Sequence, residues 1–363
     1  MAKKSYIGVD GVARNIKKWY VGVDSKARKI KKGYIGVGGV ARPFMSGEEV
    51  EYYGTITALS TGRSYLAGAS VGDYALFAGG YYSAGKGSSV VNAYNSSLVR
   101  SSPTALKSVK YRLAGASVGD YALFAQGSVC AYNSSLVRSN PDNAGGLNSA
   151  GASVGKYAIF AGGSTSSETE YYSSVYAFSS SLVKSTPSSL GRARSKLSGV
   201  GNGNYAIFAG GVYGSTLIRC THVDAYNSSL VRSSPTYLTT ARESLAGATA
   251  GEYALFAGGY NDSGYAATVN AYNSSLVRST PTVLSTARSN LSGASIGNFA
   301  IFAGGTVSGG ESAVVDVYNN LLVRSTAISL SKKRAGLAGA SVGKYALFAG
   351  GGSYSSVVDA YTI

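Results

Sequence analysis

The chain has 363 residues, a formal net charge of +16 and 49 glycines, and its apolar runs are short. It holds one histidine, two cysteines and one tryptophan, which argues against histidine-based catalysis and against a disulfide framework. No run approaches the roughly 20 apolar residues of a membrane span, and none follows the basic start, so we expect neither membrane insertion nor a signal peptide.

Basic charge is concentrated at the amino terminus. Residues 1–44 hold 11 Lys or Arg against two Asp, a balance of +9, whereas the rest of the chain carries only +7. A 14-residue unit occurs three times in this segment, and dipeptides such as Asp10-Gly11 within it are typical of hairpin turns. The pattern predicts a small β-meander over residues 1–44.

About forty residues bury too little surface to be stable alone. We therefore expect residues 1–44 to dock on a partner, on copies of themselves or on the remainder of the chain. A docking module is preferred here to the nucleic-acid-binding arm that basic charge alone would suggest, because the segment is patterned and not of low complexity. The anchoring residues would be the ones that recur in each unit: Tyr6, Arg14, Tyr20, Arg28, Tyr34 and Arg42.

A longer repeat fills the remainder of the chain, residues 45–363. The heptapeptide Tyr74–Gly80 returns six times, and its phenylalanine recurs at intervals of 47, 36, 48, 48, 46 and 46 residues. The seven phenylalanines are Phe77, Phe124, Phe160, Phe208, Phe256, Phe302 and Phe348. A constant period of this length indicates a solenoid, an array or a propeller.

The fifth unit shows the strands most clearly. Apolar runs at residues 245–249, 253–257 and 269–272 are separated by Gly, Asn and Ser, and Leu276-Val277-Arg278 begins a fourth run. Four short strands per unit predict the blade of a β-propeller, here with seven blades. Because the last unit ends after its third strand, we expect residues 50–57 to supply the missing fourth strand and close the ring.

The units resemble the kelch motif over roughly residues 50–363. They share the double glycine after an apolar strand, a strand ending in tyrosine and an arginine before the next apolar strand. The kelch tryptophan of the fourth strand is replaced by Leu98-Val99 and its equivalents, which we expect to fill the space between blades, and Gln126 replaces one glycine. The resemblance implies an all-β, kelch-like propeller but no particular activity, since such propellers serve unrelated tasks.

The amino-terminal units, which begin Tyr6-Ile7-Gly8-Val9, resemble amino-terminal segments of phage and prophage structural proteins from Gram-positive bacteria, often encoded among tail genes. This resemblance implies a virion location. It also implies that residues 1–44 attach to other tail or capsid proteins and that the chain is oligomeric in the particle.

Residues with catalytic or metal-binding chemistry are scarce. His222 is the only histidine, whereas copper-oxidase relatives of kelch propellers need two histidine ligands, and paired carboxylates do not recur between units. We expect no enzyme activity, no cofactor and no metal site.

One arginine precedes the first strand in most units: Arg63, Arg194, Arg242, Arg288 and Arg334. Two interpretations remain open. The side chains could form a basic ring at one mouth of the central channel that binds an anion or an acidic glycan. Alternatively, each could bond carbonyls of the neighbouring blade and lock the ring, which is the interpretation we favour.

The segments between second and third strands hold nearly all differences between units, and they are rich in Tyr, Ser and Gly, the composition of antibody paratopes. We therefore expect a phage tail, baseplate or fibre protein that binds a host-surface glycan or protein through these loops. Alternatives are a cytoplasmic kelch-type interaction module, a capsid decoration protein, or neutral drift of tolerant loops. The candidate ligand-binding residues are Tyr81, Tyr82, Tyr171, Tyr172, Tyr213, Tyr260, Tyr265 and Tyr354.

Overall fold

The computed structural model of the protein describes residues 49–363 and, before them, six strands. These strands form three hairpins, one in each amino-terminal repeat: Tyr6–Val9 with Val12–Asn15, Tyr20–Val23 with Lys26–Lys29, and Lys32–Val37 with Val40–Ser46. Each repeat thus pairs its own two strands. The turn pair Asp10-Gly11 and the side chains of the six predicted anchoring residues lie outside the described residues.

The chain divides into two compact units, Met1–Val50 and Glu51–Thr362. Throughout the part of the chain that the structure describes, regular elements are strands and none is a helix. No helix in that part could therefore span a membrane. The second unit is a seven-bladed β-propeller of four-stranded antiparallel sheets, as the sequence predicts.

From first to fourth strand, the blades are as follows. Blade 1 has Ala67–Val71, Tyr74–Ala78, Val91–Asn95 and Arg100–Ser101; blade 2 has Ala114–Val118, Tyr121–Gln126, Ser128–Asn133 and Arg138–Ser139; blade 3 has Ala150–Val154, Tyr157–Ala161, Val175–Ser179 and Lys184–Ser185; blade 4 has Ser198–Gly201, Tyr205–Ala209, Val223–Asn227 and Arg232–Ser233. Blade 5 has Ala246–Ala250, Tyr253–Ala257, Val269–Tyr272 and Arg278–Ser279; blade 6 has Ser292–Ile296, Phe299–Ala303, Val315–Asn319 and Arg324–Thr326; blade 7 has Ala338–Val342, Tyr345–Ala349, Val358–Thr362 and Glu51–Ile56.

Alternating strand direction gives the propeller two faces. The turn face carries the turns from first to second and from third to fourth strand. The loop face carries the longer connections from second to third strand and the links between blades. Small hairpins extend four of these loops: Tyr81–Ser83 with Lys86–Gly87, Val212–Tyr213 with Ile218–Arg219, Tyr260–Asn261 with Gly264–Tyr265, and Thr306–Val307 with Gly310–Glu311.

The first strands line the central channel and approach one another closely. A Cβ on Gly115 would lie 2.3 Å from the carbonyl oxygen of Gly68, and one on Gly68 would lie 2.2 Å from that of Gly339. Only glycine fits at this position of the repeated Ala-Gly-Ala-Ser-Val strand, so its recurrence follows from packing around the axis.

Between blades, the core is built from the phenylalanine of the second strand and the tyrosine that ends the third. In blade 5 both rings are fully buried, and Phe256 meets Tyr272 edge-to-face with centroids 6.1 Å apart. The Tyr272 hydroxyl donates to the carbonyl of Thr236, in the link from blade 4, at 2.8 Å. The repeated tyrosine therefore joins six of the blades to the connection that leads into them, and blade 3 has Phe178 in its place.

Closure by an amino-terminal strand is confirmed. Glu51–Ile56 pairs antiparallel with Val358–Thr362, within one residue of the predicted limits 50–57. The Tyr52 hydroxyl donates to Asp359 Oδ1 at 2.8 Å, and burial together with that carboxylate raises the pKa of Tyr52 to about 12. The first and last segments of the propeller are thus joined by side-chain as well as main-chain bonds.

The five arginines singled out in the sequence lie inside the blades, where each side chain is at most 1 % exposed. In blade 6, Arg288 pairs with the third-strand carboxylate of Asp316 at 2.9 Å and donates to the Phe302 carbonyl at 3.1 Å. Its main chain bonds the preceding blade, because its N–H donates to Ala266 and its carbonyl accepts from Gly259. The arginines therefore do not form a basic ring in the channel. They lock the ring through their main chain, while the side-chain partners belong to their own blade and not, as expected, to the neighbouring one.

The third-strand partner of the arginine is a carboxylate in three blades and a neutral amide in two. Asp224, Asp316 and Asp359 compensate Arg194, Arg288 and Arg334, and Asn92 and Asn270 accept hydrogen bonds from Arg63 and Arg242. Burial beside a neutral amide lowers the pKa of Arg63 and Arg242 to about 10, so both guanidinium groups remain charged at neutral pH. Blade 2 uses Lys110, which donates to the Gln126 carbonyl at 2.6 Å.

The turn between third and fourth strands differs from the expectation. In blade 1, Asn95 Oδ1 accepts from the N–H groups of Ser97 and Val99, and Leu98 adopts a left-handed conformation with φ of 62°. Val99 is 60 % exposed, so the prediction that the Leu-Val pair fills the space between blades is wrong for the valine. The fourth strand begins only at Arg100 and spans two residues.

Closure predicts different outcomes for two truncations. Removing residues 1–44 should leave the melting temperature of the propeller nearly unchanged, because the closing strand remains. Removing residues 1–57 deletes the outer strand of blade 7 and exposes Val358–Thr362, so thermal melting should occur several degrees lower. Equal melting temperatures for the two truncations would contradict the role of the closing strand.

The Tyr52 hydroxyl can be tested by itself. Tyr52→Phe removes a hydrogen bond to a buried carboxylate and should lower the free energy of unfolding by about 1–2 kcal/mol. Tyr53→Phe is the matched control, since Tyr53 is 56 % exposed and its ring contact with Tyr345 survives the change. Denaturant unfolding monitored by circular dichroism measures both, and equal effects would contradict the proposed bond.

Asp316 tests the buried ion pairs. Asp316→Leu leaves Arg288 charged and uncompensated inside blade 6 and should cost about 3–5 kcal/mol of folding free energy. Asp316→Asn should cost clearly less, because Asn92 and Asn270 already serve at the equivalent position of blades 1 and 5. If chemical denaturation finds the two variants equally destabilised, charge compensation is not what this position provides.

Candidate binding site on the loop face

The loops between second and third strands fold inward over the channel mouth. Except in blade 2, where Gln126 replaces the first glycine, each loop leaves its strand through two glycines. In several blades the next residue then pairs with the segment that precedes the first strand of the same blade. The isolated bridges Ser64↔Tyr81, Ser195↔Val212 and Glu243↔Tyr260 are examples. This pairing brings the sequence-variable loops of the blades to one edge, around the axis of the propeller.

A closed ring of main-chain hydrogen bonds encircles that mouth. Seven residues, one per blade, adopt left-handed φ values between 50° and 63°, and each donates its N–H to the carbonyl of its predecessor at 2.7–3.1 Å. The ring consists of Tyr65, Arg112, Asn148, Lys196, Ser244, Asn290 and Gly336. Because all seven N–H groups are used within the ring, a ligand at this mouth would find its hydrogen-bond donors in side chains.

Inside the ring lies a shallow bowl with a volume of ≈ 200 Å³. The residue that follows each ring member forms its floor. Six of the seven floor residues are leucines that are 6–7 % exposed: Leu66, Leu113, Leu197, Leu245, Leu291 and Leu337. Ser149 takes the seventh place, in blade 3. The bowl therefore has an apolar floor and a polar, chemically varied rim.

Tyr65, which lines the bowl, belongs to a cluster of three tyrosines. Tyr81 stacks on Tyr111 with ring centroids 4.3 Å apart and meets Tyr65 edge-on at 6.4 Å. Burial raises the pKa of the Tyr81 phenol, which therefore stays protonated at physiological pH. Tyr65 leans over Gly336, where a Cβ would lie 3.2 Å from its ring. Glycine at position 336 of the ring thus leaves room for the Tyr65 side chain.

Alternating charges form one side of the rim. Glu168 lies 3.3 Å from Arg112 and 2.9 Å from Lys196, and it also accepts from the Asn148 amide at 3.2 Å. The chain continues from Lys196 to Glu243 at 3.7 Å, from Glu243 to Arg219 at 3.2 Å and from Arg219 to Asp262 at 2.8 Å. Three basic and three acidic side chains balance one another, and Arg112 also lies over the Tyr65 ring at 5.3 Å.

The eight predicted ligand-binding tyrosines all lie on the loop face but do not form one cluster. Tyr260 and Tyr265 pack edge-to-face at 5.3 Å with Arg219 over Tyr260, and Arg192 covers Tyr213 at 4.2 Å. Tyr172 covers Gly146, which replaces the arginine in blade 3. Tyr82 and Tyr354 are 45 % and 36 % exposed and stand on the outer rim. Tyr171 lies near Glu168, and burial followed by that charge raises the pKa of its phenol.

The channel below the bowl is a second cavity, of ≈ 360 Å³, lined by glycines, alanines and serines of the first strands. Its hydroxyl groups are engaged in bonds between blades: Ser117 donates to the Ser70 carbonyl at 2.6 Å, and Ser153 donates to the Ser117 carbonyl at 2.6 Å. These hydroxyls stabilise the ring of blades and leave the channel with little chemistry to offer a ligand.

Within residues 49–363 no three His, Cys, Asp or Glu side chains are grouped to hold a metal ion. His222 stacks on Tyr237 at 4.9 Å, and burial together with Arg194 lowers the pKa of its imidazole. Cys130 and Cys220 are buried free thiols in different blades. The bowl and the loops around it present aromatic rings, paired charges and amides.

Sequence reasoning missed the ring itself. Tyr65, Arg112 and Lys196 stand two residues after the blade arginine or lysine, in a segment that otherwise repeats closely. This position takes six residue types among seven units, a signal that an alignment of that short segment would have exposed. No repeat position marks Glu168, Arg219 and Glu243 in the sequence, because these residues come together only when the loops fold.

Comparisons with known proteins bear on the fold. No protein-family model matches the chain, and no curated protein does. Among solved structures, that of YjhT is similar with a TM-score of 0.55 and 12 % sequence identity, over 84 % of this chain and 96 % of that one. Identity this low speaks for a common architecture alone. The chain is, by fold, an all-β, seven-bladed propeller.

Proposed function

We propose that this protein is a non-enzymatic structural protein of a phage virion, associated with the tail, baseplate or fibre, whose propeller binds a host-surface ligand through the loop face. The observation that carries the proposal is the asymmetry between the two faces of the propeller. One face repeats nearly unchanged from blade to blade, and the other gathers the differences between blades.

The repeated face is occupied by structural turns. Asn95, Asn133, Asn227, Asn273 and Asn319 each accept main-chain N–H bonds within equivalent turns, and the valines that follow point to solvent. These turns differ little between blades, with Ser179 taking the place of the asparagine in blade 3. The loop face instead combines half-buried tyrosines with paired charges, the groups that are enriched where proteins recognise ligands.

The entry point of the chain supports a division of labour between anchor and binding surface. The closing strand begins at Glu51, which pairs with Thr362 at the turn-face end of blade 7. The polypeptide therefore enters the propeller on the face opposite the variable loops. Residues 1–44, with their +9 charge and repeated hairpins, supply the attachment to other virion proteins in this proposal.

Binding to cell envelopes tests the proposal. The labelled full chain should adsorb to intact cells or purified cell walls of Gram-positive bacteria, and an antibody against it should label phage particles. A cytoplasmic interaction module would ignore envelopes. A capsid decoration protein without receptor activity would label particles and leave the envelopes unbound.

Substitution of the displayed tyrosines gives the sharper result. Changing Tyr81, Tyr82, Tyr260 and Tyr265 together to Ser should abolish envelope binding, because exposed aromatic anchors each contribute roughly 2 kcal/mol or more at an interface. Melting temperature should fall only modestly, since these residues lie outside the four-stranded blade sheets.

The control variant carries Asn95→Ala, Asn227→Ala and Asn273→Ala on the turn face. It should lose turn stability and retain full adsorption. If the tyrosine variant adsorbs as well as the parent chain, the variable loops reflect neutral drift and the proposal fails.

A further inference from the structure

The size and the closed outline of the bowl inside the seven-residue ring limit which ligands it can hold. Its volume of ≈ 200 Å³ is below the roughly 300–1,000 Å³ of pockets that hold drug-sized ligands. Its rim is a closed ring and not a groove, so it admits a compact ring-shaped group and leaves no path for an extended chain. The ring also uses its own N–H donors internally, which removes the usual means of pairing with a peptide strand.

The paired charges at the bowl further limit the chemical class of its ligand. The side chains of Arg112 and Lys196 line the bowl, but both are paired with Glu168, and Lys196 also faces Glu243. An anionic ligand would have to displace these carboxylates, and a cationic one would have to displace the basic groups. Paired charges with spare lone pairs and N–H groups instead suit neutral hydroxyls, which donate to the carboxylate and accept from the guanidinium.

The separation of apolar and polar groups within the bowl also favours a neutral ligand. A floor of leucines offers contact to an apolar flat surface, and the rim above it carries the guanidinium, amide, ammonium and hydroxyl groups of Arg112, Asn148, Lys196, Ser244 and Asn290. A pyranose ring has this pattern of surfaces: C–H groups on its face and hydroxyls radiating around its edge. Tyr65 lines the bowl and adds an aromatic ring of the kind on which sugar C–H groups pack, and Tyr81 lies edge-on against it.

We infer that the bowl is a subsite for one neutral pyranose residue of a glycan, lying over the leucine floor with its hydroxyls directed to the ring side chains. The inference rests on the proposed function, because it names the class of ligand that the loop face binds. It assigns direct contacts to the rim side chains from Arg112 to Asn290, and it leaves the outer tyrosines Tyr82 and Tyr354 outside the subsite.

The test uses the full chain and defined sugars. Methyl glycosides of glucose, galactose and mannose and N-acetylglucosamine are the neutral probes; glucuronic acid and glucose 6-phosphate are the charged ones. Saturation-transfer NMR and isothermal titration calorimetry should detect at least one neutral probe, with one site per chain and weaker binding of its charged counterpart.

Two variants at left-handed positions alter the bowl with little strain, because other blades already use the new residues there. Tyr65→Asn copies Asn148 and removes the aromatic ring, and Asn290→Lys copies Lys196 and fills the rim. Each should weaken the neutral sugar by about tenfold or more, the loss expected for one stacking or hydrogen-bonded contact. Asn95→Ala, on the turn face, should leave sugar binding unchanged, and melting curves establish that all three variants fold.

Failure of the inference is distinguishable from failure of the proposed function. If envelope binding depends on the loop tyrosines but no neutral sugar binds even at millimolar concentration, the subsite is wrong and the function stands. Tighter binding of charged sugars, or unchanged sugar binding in both bowl variants, also overturns the subsite. If neither envelopes nor sugars bind, both proposals fall.

Discussion

The buried arginine that precedes the first strand in five of the seven blades is the interaction on which the rest of the propeller depends. Through its N–H and carbonyl it is fixed to the preceding blade, and through its guanidinium it is fixed to the second and third strands of its own blade, as Arg288 shows. Burying a charged side chain away from water destabilises a protein unless the charge is paired and hydrogen-bonded. The third-strand Asp or Asn and the second-strand carbonyls meet that requirement, so each blade joint has a fixed geometry.

That fixed geometry sets what the loop face can do. The residue two positions after each arginine, and after Lys110 and Gly146 in blades 2 and 3, adopts a left-handed conformation, and the seven turns close into one hydrogen-bonded ring. Main-chain bonds maintain the ring whatever the side chains are. The side chains of Tyr65, Arg112 and Lys196 are therefore free to differ, and diversity accumulates at a position whose backbone is among the most constrained in the chain.

Blade 3 lacks the buried arginine or lysine, and its neighbouring residues differ as well. Gly146 stands where other blades have arginine or lysine, and Tyr172 from the following loop packs over it. The third strand of this blade carries Tyr176 instead of Asn or Asp, and the floor residue of the bowl is Ser149 instead of leucine. The loop of the same blade supplies Glu168, which contacts Arg112, Asn148 and Lys196.

The sequence by itself determined the number of blades, the order of their strands and the closing strand, because these follow from a period, from turn residues and from the chain stopping after a third strand. It also placed the variable tyrosines on one face, since strand alternation alone decides that. It did not decide where the arginines point, because a charged side chain beside a channel or within a blade has the same local pattern until its third-strand partner is packed against it. The bowl and its charge network exist only in the tertiary structure, since Glu168, Arg219 and Glu243 come from loops of three blades and meet through folding around the axis.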